Sequence, residues 1–152
     1  MKILSWNCQG LGSSWTVRNL VELVKLHNPG LVFLFETKSK YRRYDRLKEC
    51  LNYHGMGVES QGRSGGLLML WCKDVEVWIQ SYCSHHIDAS VKGDVDEDRW
   101  RITGIYGHPE VSKCKETWQL LRYLSKLSIR PWMCVGDFNE IRLQHAPWLG
   151  LN

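Results

Sequence analysis

The sequence has no apolar run approaching the ~20 residues that cross a bilayer. Its first apolar stretch, Ile3-Leu4, is too short for a secretory leader and runs into Asn7. No repeat, linker or low-complexity segment interrupts it, so residues 1–152 are expected to form a single domain. The six cysteines (Cys8, Cys50, Cys72, Cys83, Cys114 and Cys134) contain no CxxC pair and no tight spacing. That argues against a disulfide framework and against a tetrahedral zinc site. Most lie in apolar stretches, where free cysteine behaves as a small hydrophobe. A reduced, intracellular protein follows, nuclear or cytoplasmic, with no disulfide-linked partner. His85 and His86 are adjacent, so in a strand their rings point to opposite faces. Gln61-Gly62-Arg63-Ser64-Gly65-Gly66 is rich in glycine, but no Lys-Ser/Thr follows it. It therefore reads as a flexible turn entering a strand and not as a phosphate-binding P-loop.

What is present describes a globular chain. Hydrophobic residues make up 43% and charged residues 24%. At 152 residues the chain can bury roughly two thirds of its unfolded surface. Several of the eight tryptophans are expected to fill core. The net charge of +4 is compatible with a polyanionic partner without requiring one. Strands are predicted over 2–6, 31–35, 66–71, 75–82, 86–91, 99–106 and 132–135, the last as a buried strand. Val17, Leu20, Val21 and Val24 recur at helical spacing until Asn28-Pro29-Gly30 stops them. A basic helix is predicted over 41–52. Trp118, Leu121 and Leu124, with Leu120 and Leu127, mark another amphipathic helix. Lys92-Gly93-Asp94 and Asp96-Glu97-Asp98 read as a hairpin turn. The pattern alone supports a mixed α/β class.

Polar side chains recur where apolar strands stop. Ser5-Trp6-Asn7-Cys8-Gln9-Gly10 closes the first strand, and Phe35-Glu36-Thr37-Lys38 the second. Ile105-Tyr106-Gly107-His108-Pro109 follows a third, and Gly136-Asp137-Phe138-Asn139 a fourth. Ligand sites of open α/β sheets gather at such strand ends. Asp137 and Asn139, two residues apart, project from one face. One can take or position a proton and the other can donate to a charged oxygen, a pairing that phosphodiester hydrolysis requires.

This ordered set resembles the endonuclease/exonuclease/phosphatase superfamily. The likeness is greatest to the N-terminal endonuclease domain of plant non-LTR (LINE-type) retrotransposon polyproteins. The words that carry it are Ile3-Leu4-Ser5-Trp6-Asn7-Cys8-Gln9-Gly10-Leu11-Gly12, Glu36-Thr37-Lys38, Ser64-Gly65-Gly66-Leu67, Gly104-Ile105-Tyr106-Gly107-His108-Pro109 and Gly136-Asp137-Phe138-Asn139-Glu140. The resemblance implies a four-layer α/β sandwich, two packed mixed sheets flanked by helices, and a Mg²⁺- or Mn²⁺-dependent DNA hydrolase. It implies Asn7 and Glu36 as metal ligands and Tyr106, Asp137 and Asn139 as catalytic residues. Lys38, Lys40, Arg42 and Arg43 begin a basic run, continued by Arg46 and Lys48 and interleaved with Tyr41 and Tyr44. A nucleic-acid backbone favours such a run, while Asp45 and Glu49 make a solvated helix face the plainer reading.

Family members continue past the Gly-Asp-Phe-Asn strand to a late Ser-Asp-His motif. Residues 142–152 do not resemble that continuation, and His145 follows Asp137 too closely to replace its histidine. The sequence is therefore expected to be an incomplete domain, its C-terminal part missing, with impaired or absent activity. The alternatives are a non-catalytic nucleic-acid- or protein-binding remnant and, less favoured, a phosphatase of small metabolites. Loss of those strands is expected to leave a sheet edge unpaired.

Overall fold

The structure is a computed structural model that describes residues 1–93 and 98–139. The tip of the expected 92–98 hairpin, Glu140 and the segment containing His145 lie outside these residues. Eight strands and three helices follow in the order β1 (Ile3–Asn7), α1 (Ser14–His27), β2 (Leu31–Phe35), α2 (Tyr41–Leu51), β3 (Tyr53–Val58), β4 (Leu67–Cys72), β5 (Val77–Cys83), β6 (His86–Lys92), β7 (Arg99–Tyr106), α3 (Cys114–Ser125) and β8 (Trp132–Asp137). A 3₁₀ turn at Val111–Lys113 leads into α3.

Two four-stranded sheets form, ordered β1-β2-β4-β3 and β5-β6-β7-β8. In each, one pair is parallel: β1 with β2, and β7 with β8. The remaining pairs are antiparallel. Leu31–Phe35 is buried along its whole length because β2 is covered on both faces. Val32 and Leu34 turn outward to join Leu68 and Leu70 under Leu20 and Val24 of α1 and Tyr44 and Leu47 of α2. Leu31, Phe33 and Phe35 turn inward with Leu67 and Met69 to meet Ile87, Ala89, Val91 and Ile102 of the second sheet. Each fully buried Leu or Phe in these layers contributes ~1.5–3 kcal/mol. The result is the expected sandwich, helices outside and two sheets face to face.

Helix α1 begins where Ser13 accepts from Trp15 N–H. It ends at Asn28, whose left-handed backbone (φ 45°) returns its N–H to Val24 O. Three expectations need correction. β3 was not anticipated as a strand of its own. The strand at 132–135 exists but is half-buried, with Met133 exposed, because β8 is a sheet edge paired with β7 alone among the described residues. In α3 the residues fully covered are Thr117 and Leu124, whereas Trp118 is exposed, and the predicted Leu127 falls past the helix end and is exposed too. Of the six cysteines only Cys8 is buried, and all are free thiols.

The two parallel pairs point their C-terminal ends the same way. Asn7↔Phe35 and Tyr106↔Asp137 are the last registered pairs of β1/β2 and β7/β8. The four strand-end words of the sequence therefore meet at one end of the sandwich.

Candidate active site

Five side chains converge there. Asn7 Nδ2 donates to Asp137 Oδ2 at 2.8 Å, across 130 positions of sequence. Tyr106 OH donates to Glu36 Oε1 at 2.9 Å. Asn139 N–H donates to Asp137 Oδ1 at 3.0 Å, and Asn139 Nδ2 donates to Gly107 O at 2.8 Å. Burial, reinforced by the Glu36 carboxylate bonded to it, pushes the Tyr106 hydroxyl well above its usual range. It remains a neutral phenol, and hence a donor, throughout the physiological pH range.

The backbone holds these groups in place by specific means. Glu36 has φ 50°, the left-handed region that a residue with a Cβ enters at a cost of about 1–2 kcal/mol. Several bonds pin the turn. Cys8 N–H donates to Phe35 O (3.1 Å), Thr37 N–H to Gly66 O (3.1 Å), Lys38 N–H to Gly65 O (2.9 Å) and Leu11 N–H to Thr37 O (2.8 Å). The buried Thr37 hydroxyl is also hydrogen-bonded to the Tyr44 hydroxyl. Burial pushes Tyr44 up to about 12, so it too stays protonated. On the other side Gly136 has φ 148°, and a Cβ there would lie 1.9 Å from Ile105 O. Only glycine lets β8 approach β7 closely enough to aim Asp137 at Asn7.

Two supports were not anticipated from the sequence. The Ser64-Gly65-Gly66 turn reads as a plain strand entry, yet its carbonyls anchor the segment after Glu36. His85 hydrogen-bonds Tyr106 O through Nδ1 (2.9 Å) and stacks on the Tyr106 ring with an interplanar angle of 5°. His108 lies against His85 with ring centroids 3.8 Å apart, and burial holds its imidazole below its usual value. His86 faces elsewhere, to Ser81 and Cys83, as the adjacency of the two histidines implied.

Beside the cluster, Gly12, Lys38, Ser39, Lys40, Arg42, Arg43 and Arg46 line an open concavity of ≈ 430 Å³. Lys38 and Arg42 are exposed. Lys40 directs its ammonium to Ser60 O (2.7 Å) and towards Glu59 (3.8 Å), so less of its charge faces the groove. The pairing of Lys48 with Asp45 (2.9 Å) lies further along α2. A larger concavity, ≈ 680 Å³ between the end of α2 and β3–β4, contains none of the cluster residues.

Glu36 and Asn7 present oxygen donors, the ligand type of a hard divalent cation. Among the described residues only Tyr106 bonds the Glu36 carboxylate, which leaves its second oxygen available. No group of three or more His, Cys, Asp or Glu side chains suited to a metal occurs among the described residues. No helix among them is long and apolar enough to cross a membrane.

A family model described as the Endonuclease/Exonuclease/phosphatase family matches residues 4–146. No curated protein sequence matches significantly. Among solved structures, the chain is similar to an AP endonuclease from Archaeoglobus fulgidus, with a TM-score of 0.66 and 18% identity over 91% of this chain and 57% of that one. It is similar to D. rerio TDP2 complexed with single-strand DNA product, with a TM-score of 0.66 and 19% identity over 92% and 61%. It is also similar to the endonuclease domain of TRAS1, a telomere-specific non-LTR retrotransposon, with a TM-score of 0.67 and 12% identity over 92% and 59%. At these identities the likeness is one of fold, and the chain spans less than two thirds of the length of each of the three.

Proposed function

The chain belongs to the endonuclease/exonuclease/phosphatase family, and from that premise we propose that it is the DNA-cleaving endonuclease domain of a LINE-type retrotransposon. A single observation carries this reading. The Glu36–Tyr106 and Asn7–Asp137 pairs meet at the C-terminal ends of the parallel strands, beside a groove lined by Lys38, Arg42, Arg43 and Arg46. A cluster of one carboxylate pair with donors suits a phosphodiester. A basic groove next to it suits a polyanion longer than a single phosphate, which favours nucleic acid over a small phosphorylated metabolite.

The residues divide the work. Glu36, with Asn7, would hold a Mg²⁺ or Mn²⁺ ion, which when bound supplies a positive charge against the phosphate oxygens. Tyr106 keeps its single hydroxyl proton, which it gives to Glu36 in this structure, and could donate it to a phosphate oxygen when that carboxylate is taken up by a cation. Asp137 accepts one hydrogen bond on each carboxylate oxygen and keeps lone pairs on both. It is the group that takes the proton of the attacking water. Asn139 spends one amide hydrogen on Gly107 O, and its amide also lies beside the Tyr106 hydroxyl, from where it can reach the oxygen on which charge develops. Lys38, Arg42 and Arg43, with a smaller share from Lys40, position the strand through its phosphates.

The family resemblance places much of the catalysis on a late histidine. Among the described residues the histidine beside the cluster is His85, whose Nδ1 is committed to a backbone carbonyl. Removing a member of a catalytic unit costs several orders of magnitude in rate. The test is nicking of supercoiled plasmid with Mg²⁺ by the chain and by Asp137→Ala, with DNA binding followed over a salt series. Slow nicking abolished by Asp137→Ala supports the assignment. Salt-sensitive binding with no nicking would leave a non-catalytic nucleic-acid-binding module. Equal nicking by both proteins would place the chemistry elsewhere.

A further inference from the structure

The outer face of the second sheet, beneath α3, carries polar side chains where a core would be expected. Asp88 opposes Thr103 and Ser90 opposes Arg101 across β6 and β7, and none of the four is more than 6% exposed. Arg101 Nε donates to both oxygens of Asp88 at 2.9 Å. Its Nη1 donates to Leu124 O at the end of α3 (2.5 Å). Thr103 Oγ1 donates to Asp88 Oδ1 (2.5 Å) and accepts from Trp132 Nε1 (2.8 Å). Two buried atoms are left without partners: Arg101 Nη2 and Ser90 Oγ.

Buried polar groups are normally hydrogen-bonded, and each exception calls for an explanation. Both residues line a cavity of ≈ 100 Å³ together with Asp88, Gln80, Ser128 and Arg130. Two arginines and one carboxylate line it, and that carboxylate is already bonded through both oxygens. The remaining capacity is mainly that of donors: the unpaired Arg101 Nη2, the Ser90 and Ser128 hydroxyls, the Arg130 cation and the amide hydrogen left to Gln80 after it donates to Trp78 O. Waters could satisfy these donors singly but would leave the second guanidinium's charge unbalanced, whereas an anion accepts the same hydrogen bonds and offsets that charge. We propose that this cavity is a binding site for a small tetrahedral oxyanion of the phosphate class. Its volume is that of roughly three waters of bulk liquid, room for one such ion and too little for a nucleoside. Arg101 lies five positions before Tyr106 on β7, ~17 Å along the strand and on the opposite face. The cavity is thus separate from the strand-end cluster, and its fate does not decide the nuclease assignment.

Free phosphate and a backbone phosphodiester share this chemistry, and one experiment separates them. The intact chain is titrated calorimetrically with sodium phosphate, and with a single-stranded oligonucleotide lacking terminal phosphates, at constant ionic strength in chloride. Arg130→Ala and Ser90→Ala are titrated alongside, neither of them in the strand-end cluster. Saturable one-site phosphate binding is expected, weakened at least tenfold by Arg130→Ala and measurably by Ser90→Ala. The thermal midpoint of the parent chain should rise by about 3–6 °C at phosphate tenfold above its dissociation constant. Because phosphate stabilises proteins generally by exclusion, only the part of that rise lost in Arg130→Ala counts. Competition between oligonucleotide and phosphate, abolished by Arg130→Ala, would identify the backbone as the source; phosphate binding without competition would identify the free ion. Absence of phosphate binding, or equal binding and equal midpoint shifts in the parent and Arg130→Ala, would overturn the proposal.

Discussion

Replacing Asp88 by Asn changes little in volume and removes one charge, yet the structure makes it among the most damaging conservative changes available. Asp88 is 1% exposed and Arg101 4%. Exposed ion pairs are worth ≈ 0–1 kcal/mol, because solvent competes for both partners. Here both partners are almost fully covered, so in phosphate-free buffer solvent replaces the lost carboxylate poorly and the guanidinium stays buried with its charge uncompensated. Breaking such a pair from one side costs about 3–5 kcal/mol. Against a domain stability of roughly 5–15 kcal/mol this is a large share. At 2–4 °C per kcal/mol it predicts a midpoint about 6–20 °C lower. Thermal and urea unfolding followed by circular dichroism, in phosphate-free chloride buffer, would measure it. Arg101→Met is expected to behave similarly, because it strands Asp88. The double variant Asp88→Leu/Arg101→Met should recover most of the loss, since no buried charge remains. A loss below about 1 kcal/mol for Asp88→Asn, the range of an exposed pair such as Lys92–Glu76, would refute the reasoning. So would simple additivity in the double variant.

Three further outcomes are expected. Gly136→Ala should destabilise by roughly 3 kcal/mol or more, since its Cβ would meet Ile105 O at 1.9 Å; a melt within 2 °C of the parent would show that β8 can shift freely. Stability should fall on the alkaline side. Burial raises Tyr106 and takes Tyr44 to about 12, so the folded chain holds these protons more tightly than the unfolded one. That contribution is fully present below the unfolded tyrosine value near 10 and is lost as pH rises towards the folded values. Tyr44 alone withdraws on the order of 1 kcal/mol by pH 11, and urea midpoints that stay level from pH 8 to 11 would contradict this. Divalent metal should bind weakly, with a dissociation constant on the order of millimolar, because one carboxylate and one amide make a sparse oxygen shell; calorimetry with Mn²⁺ should lose the signal in Glu36→Ala, and equal binding by both proteins would move the metal elsewhere.

Much of the sandwich was legible because its central strands are buried on both faces. Five apolar residues between Gly30 and Glu36 leave little alternative to Leu31–Phe35 as a strand. The failures lie where neighbours override pattern. Tyr53–Val58 carries glycines that dilute its strand signal, and Gly57 is there because the Tyr44 ring fills the space beside it, 2.4 Å from where a Cβ would stand. The buried face of α3 was misplaced for a similar reason. An apolar stripe through Trp118 was expected, but the sheet beneath α3 presents Asp88, Arg101 and Thr103, so a helix carbonyl meets a guanidinium and Trp118 is left exposed.

The candidate site shows both how far strand-end reading reaches and where it stops. Asn7, Glu36, Tyr106, Asp137 and Asn139 could each be picked out because a polar residue where an apolar run stops needs a reason to be there. Their pairing could not, since Asn7 with Asp137 and Glu36 with Tyr106 join residues 130 and 70 positions apart. Nor could the cost of placing Glu36 be read. Its left-handed backbone is unfavourable by itself and persists only because the surrounding structure over-determines it. Gly65 and Gly66 supply the carbonyls that hold the next two amides, and Thr37 locks to a buried Tyr44 whose phenol cannot ionise at neutral pH. The Ser-Gly-Gly-Leu word, which carries no chemistry of its own, therefore belongs to the site as firmly as the carboxylate it steadies. What distinguishes a candidate catalytic Glu36 from an ordinary strand-end glutamate is this bracing, and it resides in residues that sequence chemistry alone would pass over.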